Sequence, residues 1–212
     1  MCDKCEEKKD YGKTLNLPKT DFPMRANLPE REPEIEKEVF EDDLYEKMLK
    51  KNEGHESFVL HDGPPYANGE IHIGHALNKI LKDTIVRYKN LKGYYTPYVP
   101  GFDTHGMPTE KKAIEKLGLD RDKIPVSQFR DTCLEFTRNY KDKQIEGFKR
   151  VGVLGDWKDP IITYDPKCEA RQLGVFYDMY AKGYLYKGLK PVYWCTDCET
   201  ALAEAEIEYK DV

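Results

Sequence analysis

The stretch from Phe58 to Gly106 constrains this chain most. Phe58-Val59-Leu60 is a short apolar run that reads as a buried strand. His61-Asp62-Gly63-Pro64-Pro65-Tyr66-Ala67-Asn68-Gly69 follows, and its prolines and glycines forbid regular structure. A helix is predicted from Gly74 or His75, with Leu77, Ile80, Leu81, Thr84, Ile85, Tyr88 and Leu91 as its buried stripe and Gly93 as its stop. Tyr94 to Val99 reads as a second strand, made irregular by Pro97. Pro100-Gly101-Phe102-Asp103-Thr104-His105-Gly106 is then a second loop. Strand, loop, helix, strand, loop is a β-α-β unit with parallel strands, and the fold class is α/β. In open parallel sheets ligands bind beyond the carboxyl ends of the strands, so both loops are expected to face one crevice.

His72-Ile73-Gly74-His75 stands where that helix begins. Histidines three apart share a helix face, and the glycine between them allows close backbone approach. A helix start offers free N–H groups and a field that favours anions. Imidazoles add donors for phosphate oxygens. Gly63, Pro64 and Pro65 give a stiff backbone surface nearby. The combination suits ATP, although a surface histidine pair beside a turn has the same spacing. A zinc protease helix would need His-Glu-x-x-His, which this is not. Lys79, Lys82 and Arg87 lie on the same helix, and Lys82 reads as a solvated face residue.

The remainder of the chain is ordinary for an α/β protein. It has 212 residues, enough for one core with an added piece, and 39% hydrophobic against 34% charged residues excludes a disordered class. The net charge of −5 argues against a general nucleic-acid coat but leaves a local basic face open. No apolar leader and no membrane-length run is present, so a cytoplasmic protein is expected. Residues 1 to about 30, with Pro18, Pro23 and Pro29, read as an extended arm. A helix with Pro33 in its first turn follows, to about Asn52. Further helices are predicted over Met107 to Leu117, from a Ser127 cap to Arg150, and from an Asp165-Pro166 start to Lys182. Core positions of the long helix are Phe129, Leu134, Phe136, Tyr140, Ile145 and Phe148, with Gly147 weakening its end. Tyr184-Leu185-Tyr186, Pro191 to Trp194 and Glu204 to Glu208 read as short strands. An arm and helix are expected over 1–52, and the resemblance that the motifs carry implies the first half of a Rossmann-like nucleotide-binding domain over 53–190 and the start of an inserted domain over 191–212.

Two of the six cysteine positions form Cys195-x-x-Cys198, which fits two corners of a tetrahedral zinc site or an inert knuckle. Cys2 and Cys5 share the spacing, and Cys133 and Cys168 read as packing residues inside helices.

The long strings carry a resemblance. Leu60 to Gly69 followed by Ile71 to Lys79 resembles the first signature of the class I aminoacyl-tRNA synthetases, and more narrowly of their isoleucine branch. Pro100 to Pro108 resembles the family's next block, with Phe102 and Met107 where tryptophan and leucine are usual; both changes keep an apolar side chain. Asp103-Thr104-His105-Gly106 favours the isoleucine branch over the valine branch, whose pattern there is Asp-His-Ala-Gly. Trp194-Cys195-x-x-Cys198 with Thr200 to Glu206 is a third matching block.

That resemblance implies ATP-dependent activation of isoleucine and its attachment to isoleucine tRNA, in a full-length enzyme that works as a monomer. His72 and His75 would hold the phosphates, Gly63, Pro64, Asn68 and Gly74 would line the ATP site, and Pro65 and Asp103 would face the amino acid. Asp103 would pair with the α-ammonium group; without the resemblance it is simply a turn former. Mg²⁺ would accompany the triphosphate, with no carboxylate here assigned to it. Zinc at Cys195 and Cys198 would need a second ligand pair further along the chain. The family's editing domain follows a region like Tyr193 to Glu208. That domain, the second half of the nucleotide fold with its lysine-rich loop, and the anticodon-binding domain are expected outside these residues. Two other readings stay open: a non-catalytic nucleotide- or tRNA-binding module, and the valine or leucine branch of the same family.

Overall fold

The computed structural model describes residues 11–16, 21, 25–197 and 199–210, apart from the side chains of Lys13, Asp122 and Glu206. The chain divides into two compact units. One comprises Met1–Gly63, Gly69–Pro100 and Arg138–Asp159, and the other Pro64–Asn68, Gly101–Thr137 and Pro160–Val212. Pro18 and Pro23 of the expected arm lie outside the described residues.

The first unit opens with α1 (Leu28–Glu41) and α2 (Leu44–Lys51) where one helix is expected. Asp42 and Asp43 interrupt them, and Asp43 takes a left-handed conformation (φ 49°) that ends regular winding. Pro33 lies inside α1 rather than in its first turn. The run Phe58-Val59-Leu60 is not a fully buried strand, since Val59 is 68% exposed. Pairing at that point is parallel but minimal. Ser57 bridges Tyr95, the Phe58 N–H donates to the Tyr95 carbonyl at 2.8 Å, and the Tyr95 N–H donates to the Glu56 carbonyl at 2.9 Å. The connecting helix α3 (Ile73–Leu91) gives this unit its β-α-β order. Gly93, with φ 92°, lies just past its end, as its sequence position predicts.

The buried face of α3 differs from the expected one. Leu77, Ile80, Leu81, Ile85, Tyr88 and Leu91 are 42% to 83% exposed. Lys79, Asp83, Val86 and Asn90 are buried instead. The physical reason is the irregular backbone that α3 packs against, whose polar groups need partners away from water. Asp83 accepts from the Leu154 N–H at 2.9 Å, and Asn90 donates to the Met48 carbonyl at 3.1 Å. Asn52 closes the same region by donating to the carbonyls of Asn90 (2.7 Å) and Tyr94 (2.9 Å). Apolar packing in this unit comes from Tyr45, Val86, Tyr98, Phe148, Val153 and Leu154, all buried. The Tyr45 hydroxyl donates to the Tyr98 carbonyl and accepts from its N–H, and burial pushes its pKa up to about 12.

In the second unit β1 (Gly101–Phe102) lies inside the expected loop and pairs in parallel with β2 (Ile161–Ile162), Gly101 opposite Ile161. Helix α4 (Met107–Leu117) has the predicted bounds. The long helix α5 (Val126–Arg150) contributes residues to both units and places Ser127 within its first turn rather than at the cap. Phe129, Phe136 and Phe148 of α5 are buried, as their spacing predicts. Helix α6 (Pro166–Ala181) is capped by Asp165, whose carboxylate accepts from the Lys167 N–H at 2.8 Å. Beyond it β3 (Trp194–Cys195) and β4 (Thr200–Ala201) form an antiparallel pair. Tyr184 to Tyr186 makes no ladder, and Glu204–Glu206 is a 3-10 turn rather than a strand. Among the described residues no helix is long and apolar enough to cross a membrane.

Candidate active site

The first unit holds Gly63, His72, Gly74 and His75; the second holds Pro64, Pro65, Asn68 and Asp103. Each group is built by different means.

His72 is the N-cap of α3, in extended conformation. Its Nδ1 accepts from the Gly74 N–H at 3.1 Å, and its own N–H donates to Nδ1 of His75 at 3.4 Å. The two rings stack with centroids 3.9 Å apart and planes 23° from parallel. This is a capping box written in histidine, each ring satisfying a backbone donor of the first turn. Because both Nδ1 atoms accept, each neutral ring carries its proton on Nε2. The pair therefore offers two N–H donors at a helix start, where anions are already favoured. Burial, then the neighbouring His72, then Lys79 lower the pKa of His75. Gly74 has a reason of its own here. A Cβ at this position would meet Cε1 and Nδ1 of His72 at 3.0 and 3.1 Å, so the imidazole occupies the space a side chain would take.

Two further contacts seat the motif. Ile71 packs against α5 at Gly147, where a Cβ would come within 2.8 Å of the Ile71 Cδ1. The glycine that sequence reads as weakening the helix end therefore admits the residue before His72. Gln144, one turn earlier on α5, donates to the Gly69 carbonyl at 2.7 Å. The His75 ring meets Phe148 edge to face, with centroids 6.5 Å apart at 84°.

Asp62, Lys79 and Lys82 form a cluster that sequence reasoning missed. Lys79 and Asp62 are buried and paired, and the Lys82 ammonium donates to the other carboxylate oxygen at 2.7 Å. The reading of Lys82 as a solvated face residue is thus corrected: its side chain is 18% exposed and bound to a buried carboxylate. Burial lowers the Lys79 pKa, and Asp62 works against that shift. The available signal is spacing, since Lys79 stands four residues after His75 on one helix face.

In the second unit Asp103 is fixed through its backbone. Its N–H donates to the Pro65 carbonyl and its carbonyl accepts from the Ala67 N–H, both at 2.8 Å. Its carboxylate is one-third exposed, 3.9 Å from Nδ1 of His105. Thr104 behind it is anchored on Thr163, whose Oγ1 accepts from the Thr104 N–H at 3.0 Å. Pro64 rests on Gly101, where a Cβ would meet the proline Cβ at 3.1 Å. Asn68 donates to the Pro108 carbonyl at 3.4 Å. The structure therefore gathers Pro64, Pro65, Asn68 and Asp103 as the sequence spacing alone could not.

Cys195 is half-buried in β3, while Cys198, Cys2 and Cys5 lie outside the described residues. Among the described residues no three His, Cys, Asp or Glu side chains are placed to hold a metal ion. The described residues do not by themselves supply a zinc ligand set.

A Rossmann-like chain with parallel pairing, a histidine-capped helix start and a backbone-fixed aspartate loop defines a class, and the family model for class I tRNA synthetases (I, L, M and V) matches residues 34–212. The chain belongs to that family. It is 61% identical over 202 residues to the isoleucine–tRNA ligase of Caldicellulosiruptor saccharolyticus, covering 95% of this chain and 22% of that protein. The isoleucine–tRNA ligase of Moorella thermoacetica is 61% identical over 200 residues, covering 94% and 22%. Among solved structures, a LeuRS–tRNA–LeuAMS ternary complex from Agrobacterium radiobacter matches with TM-score 0.68 at 23% identity, over 87% of this chain and 21% of that one. The likeness to that structure shows the fold. The chain spans about a fifth of the length of the curated relatives it matches.

Proposed function

We propose that this chain is part of an isoleucine–tRNA ligase and contributes the phosphate-holding helix start and the amino-acid loop for isoleucine activation. The observation that carries this is the stacked His72–His75 pair, with both Nδ1 atoms committed to the first turn of α3 and both Nε2 protons available for phosphoryl oxygens. The identity with isoleucine–tRNA ligases supports isoleucine as the amino acid.

In this reading a carboxylate oxygen of isoleucine attacks the α-phosphorus of ATP. The bond from that phosphorus to the bridging oxygen breaks, giving isoleucyl-adenylate and pyrophosphate. The adenylate then passes its acyl group to a ribose hydroxyl at the 3′ end of isoleucine tRNA, and AMP leaves. The substrate supplies the nucleophile, so the protein's part is positioning and charge stabilisation. His72 and His75 donate to the phosphates as negative charge shifts toward the departing pyrophosphate. Gly63, Pro64 and Asn68 line the nucleotide, and Gly74 lets the His72 ring lie against the helix start. Asp103 holds the α-ammonium group beside Pro65, its carboxylate available because backbone bonds secure the residue. Mg²⁺ bound to the triphosphate would neutralise part of its charge, with no carboxylate of this chain assigned to it. The Cys195-x-x-Cys198 turn is a zinc knuckle only if ligands outside the described residues complete it.

Isoleucine-dependent exchange of pyrophosphate into ATP, measured on the full-length polypeptide that carries this sequence, tests the reading. Exchange with isoleucine is the expected result; exchange that prefers valine or leucine, or none, overturns it. The chain's coverage of only 22% of its relatives favours a second reading for these residues taken alone, binding without turnover. Nucleotide binding without exchange by the 212-residue chain would show that.

A further inference from the structure

Asp62 immediately precedes Gly63 and is itself 6% exposed. Each of its carboxylate oxygens has its own ammonium group, Lys79 on Oδ2 and Lys82 on Oδ1 at 2.7 Å. A carboxylate held this way cannot tilt out of its plane without weakening its pairing with the buried Lys79 ammonium, which is costly. Its backbone is therefore set relative to α3. Gly63 lies close as well: a Cβ there would be 3.9 Å from the Lys82 Nζ.

The cluster also reaches the histidines. Lys79 is 2% exposed, and its ammonium lies over the rings of Phe148 (5.1 Å) and Tyr98 (5.8 Å). Phe148 is fully buried, stacks on Trp157 with centroids 5.9 Å apart, and takes the edge-to-face contact from His75. Contacts thus run without a gap from Asp62 through Lys79 and Phe148 to His75. Buried ion pairs add little stability over well-packed apolar residues, so their use here points to geometry rather than to strength.

We propose that Asp62 is a positioning residue for adenylate formation: clamped by Lys79 and Lys82, it holds, through Lys79 and Phe148, the ring of His75 in the arrangement the reaction uses. This rests on the isoleucine-activating reading above.

The test is a double-mutant cycle on the full-length polypeptide, with isoleucine-dependent pyrophosphate exchange as readout and thermal melts to establish the folded fraction. Asp62→Asn keeps the shape and removes the charge. It is expected to lower kcat on the order of tenfold or more in protein that is folded at the assay temperature. In a His75→Ala background the same substitution is expected to cost less than about threefold, because its effect passes through that ring. A merely structural role gives equal losses in both backgrounds. Equal losses, or an Asp62→Asn enzyme with undiminished kcat, overturn the proposal. Should Asp62→Asn not fold, Lys82→Gln removes one clamp at a partly exposed side chain, and its coupling to His75→Ala is read the same way. Exchange that is absent from the unsubstituted protein sinks the isoleucine reading and this proposal with it; exchange that is present and indifferent to the clamp sinks the proposal alone.

Discussion

His72 and His75 are adjacent on one face, but their use of Nδ1 for the helix start is what gives them a defined proton. His75 has a lowered pKa, first because it is partly buried and then because His72 and Lys79 are close. Its folded value therefore lies below 6.5, its ordinary value. Between that folded value and 6.5 the unfolded chain binds the proton more readily than the folded one, so this contribution to stability is intact above about pH 6.5 and is lost as pH falls toward the folded value. His75→Asn, which cannot take up the proton, is expected to lose less of its melting temperature between about pH 7 and about pH 5 than the parent does. An identical pH dependence in the two proteins would count against the lowered value. At this scale the sequence shows the residue types and their spacing. It does not show that the Gly74 gap is filled by the His72 ring, because a rotamer is chosen by its neighbours.

At the level of elements, helices are more legible than strands, although the β3–β4 pair falls beside the predicted Pro191 to Trp194 strand. Helix α4 has its predicted bounds and α6 its predicted cap, because caps, prolines and terminal glycines act locally. The parallel pairings at Ser57–Tyr95 and Gly101–Ile161 join segments far apart in sequence, and apolar runs alone do not state where pairing stops. Glycines inside helices show the same division. At Gly174 of α6 a Cβ would meet nothing within 4 Å, so only helix propensity acts there. Gly174→Ala is expected to raise stability by up to about 1 kcal/mol. Gly147→Ala in α5 would bring the new methyl to 2.8 Å from the Ile71 Cδ1. There the gain in propensity is expected to be outweighed, with a net loss of about 1 kcal/mol or more from overpacking. Denaturant midpoints of the two variants check the pair; a Gly147→Ala protein as stabilised as Gly174→Ala would refute the role given to the Ile71 contact.

For the whole chain, the face of α3 is the main lesson. Its apolar stripe reads as buried, yet Leu77, Leu81 and Ile85 are exposed, as are Phe176 and Tyr180 of α6. Exposed apolar surface of this kind promotes association, and a charge of −5 on 212 residues opposes it only weakly. The 212-residue chain by itself is expected to self-associate, and Leu81→Glu with Ile85→Glu to reduce that association in sedimentation velocity. A parent that stays monomeric at high concentration would contradict this. By itself the sequence determined the α/β class, the helices with strong end signals, and the family, because long motifs such as His61 to Gly69 and His72 to His75 carry local chemistry that survives without coordinates. Only the tertiary structure decided which face of α3 is buried, that Lys82 serves Asp62 rather than solvent, and that Asp103 is held through its backbone. The reason is that polar groups from distant segments must find partners when they leave water: Asp83 and Asn90 answer buried backbone, and Asp62 answers the buried Lys79 ammonium.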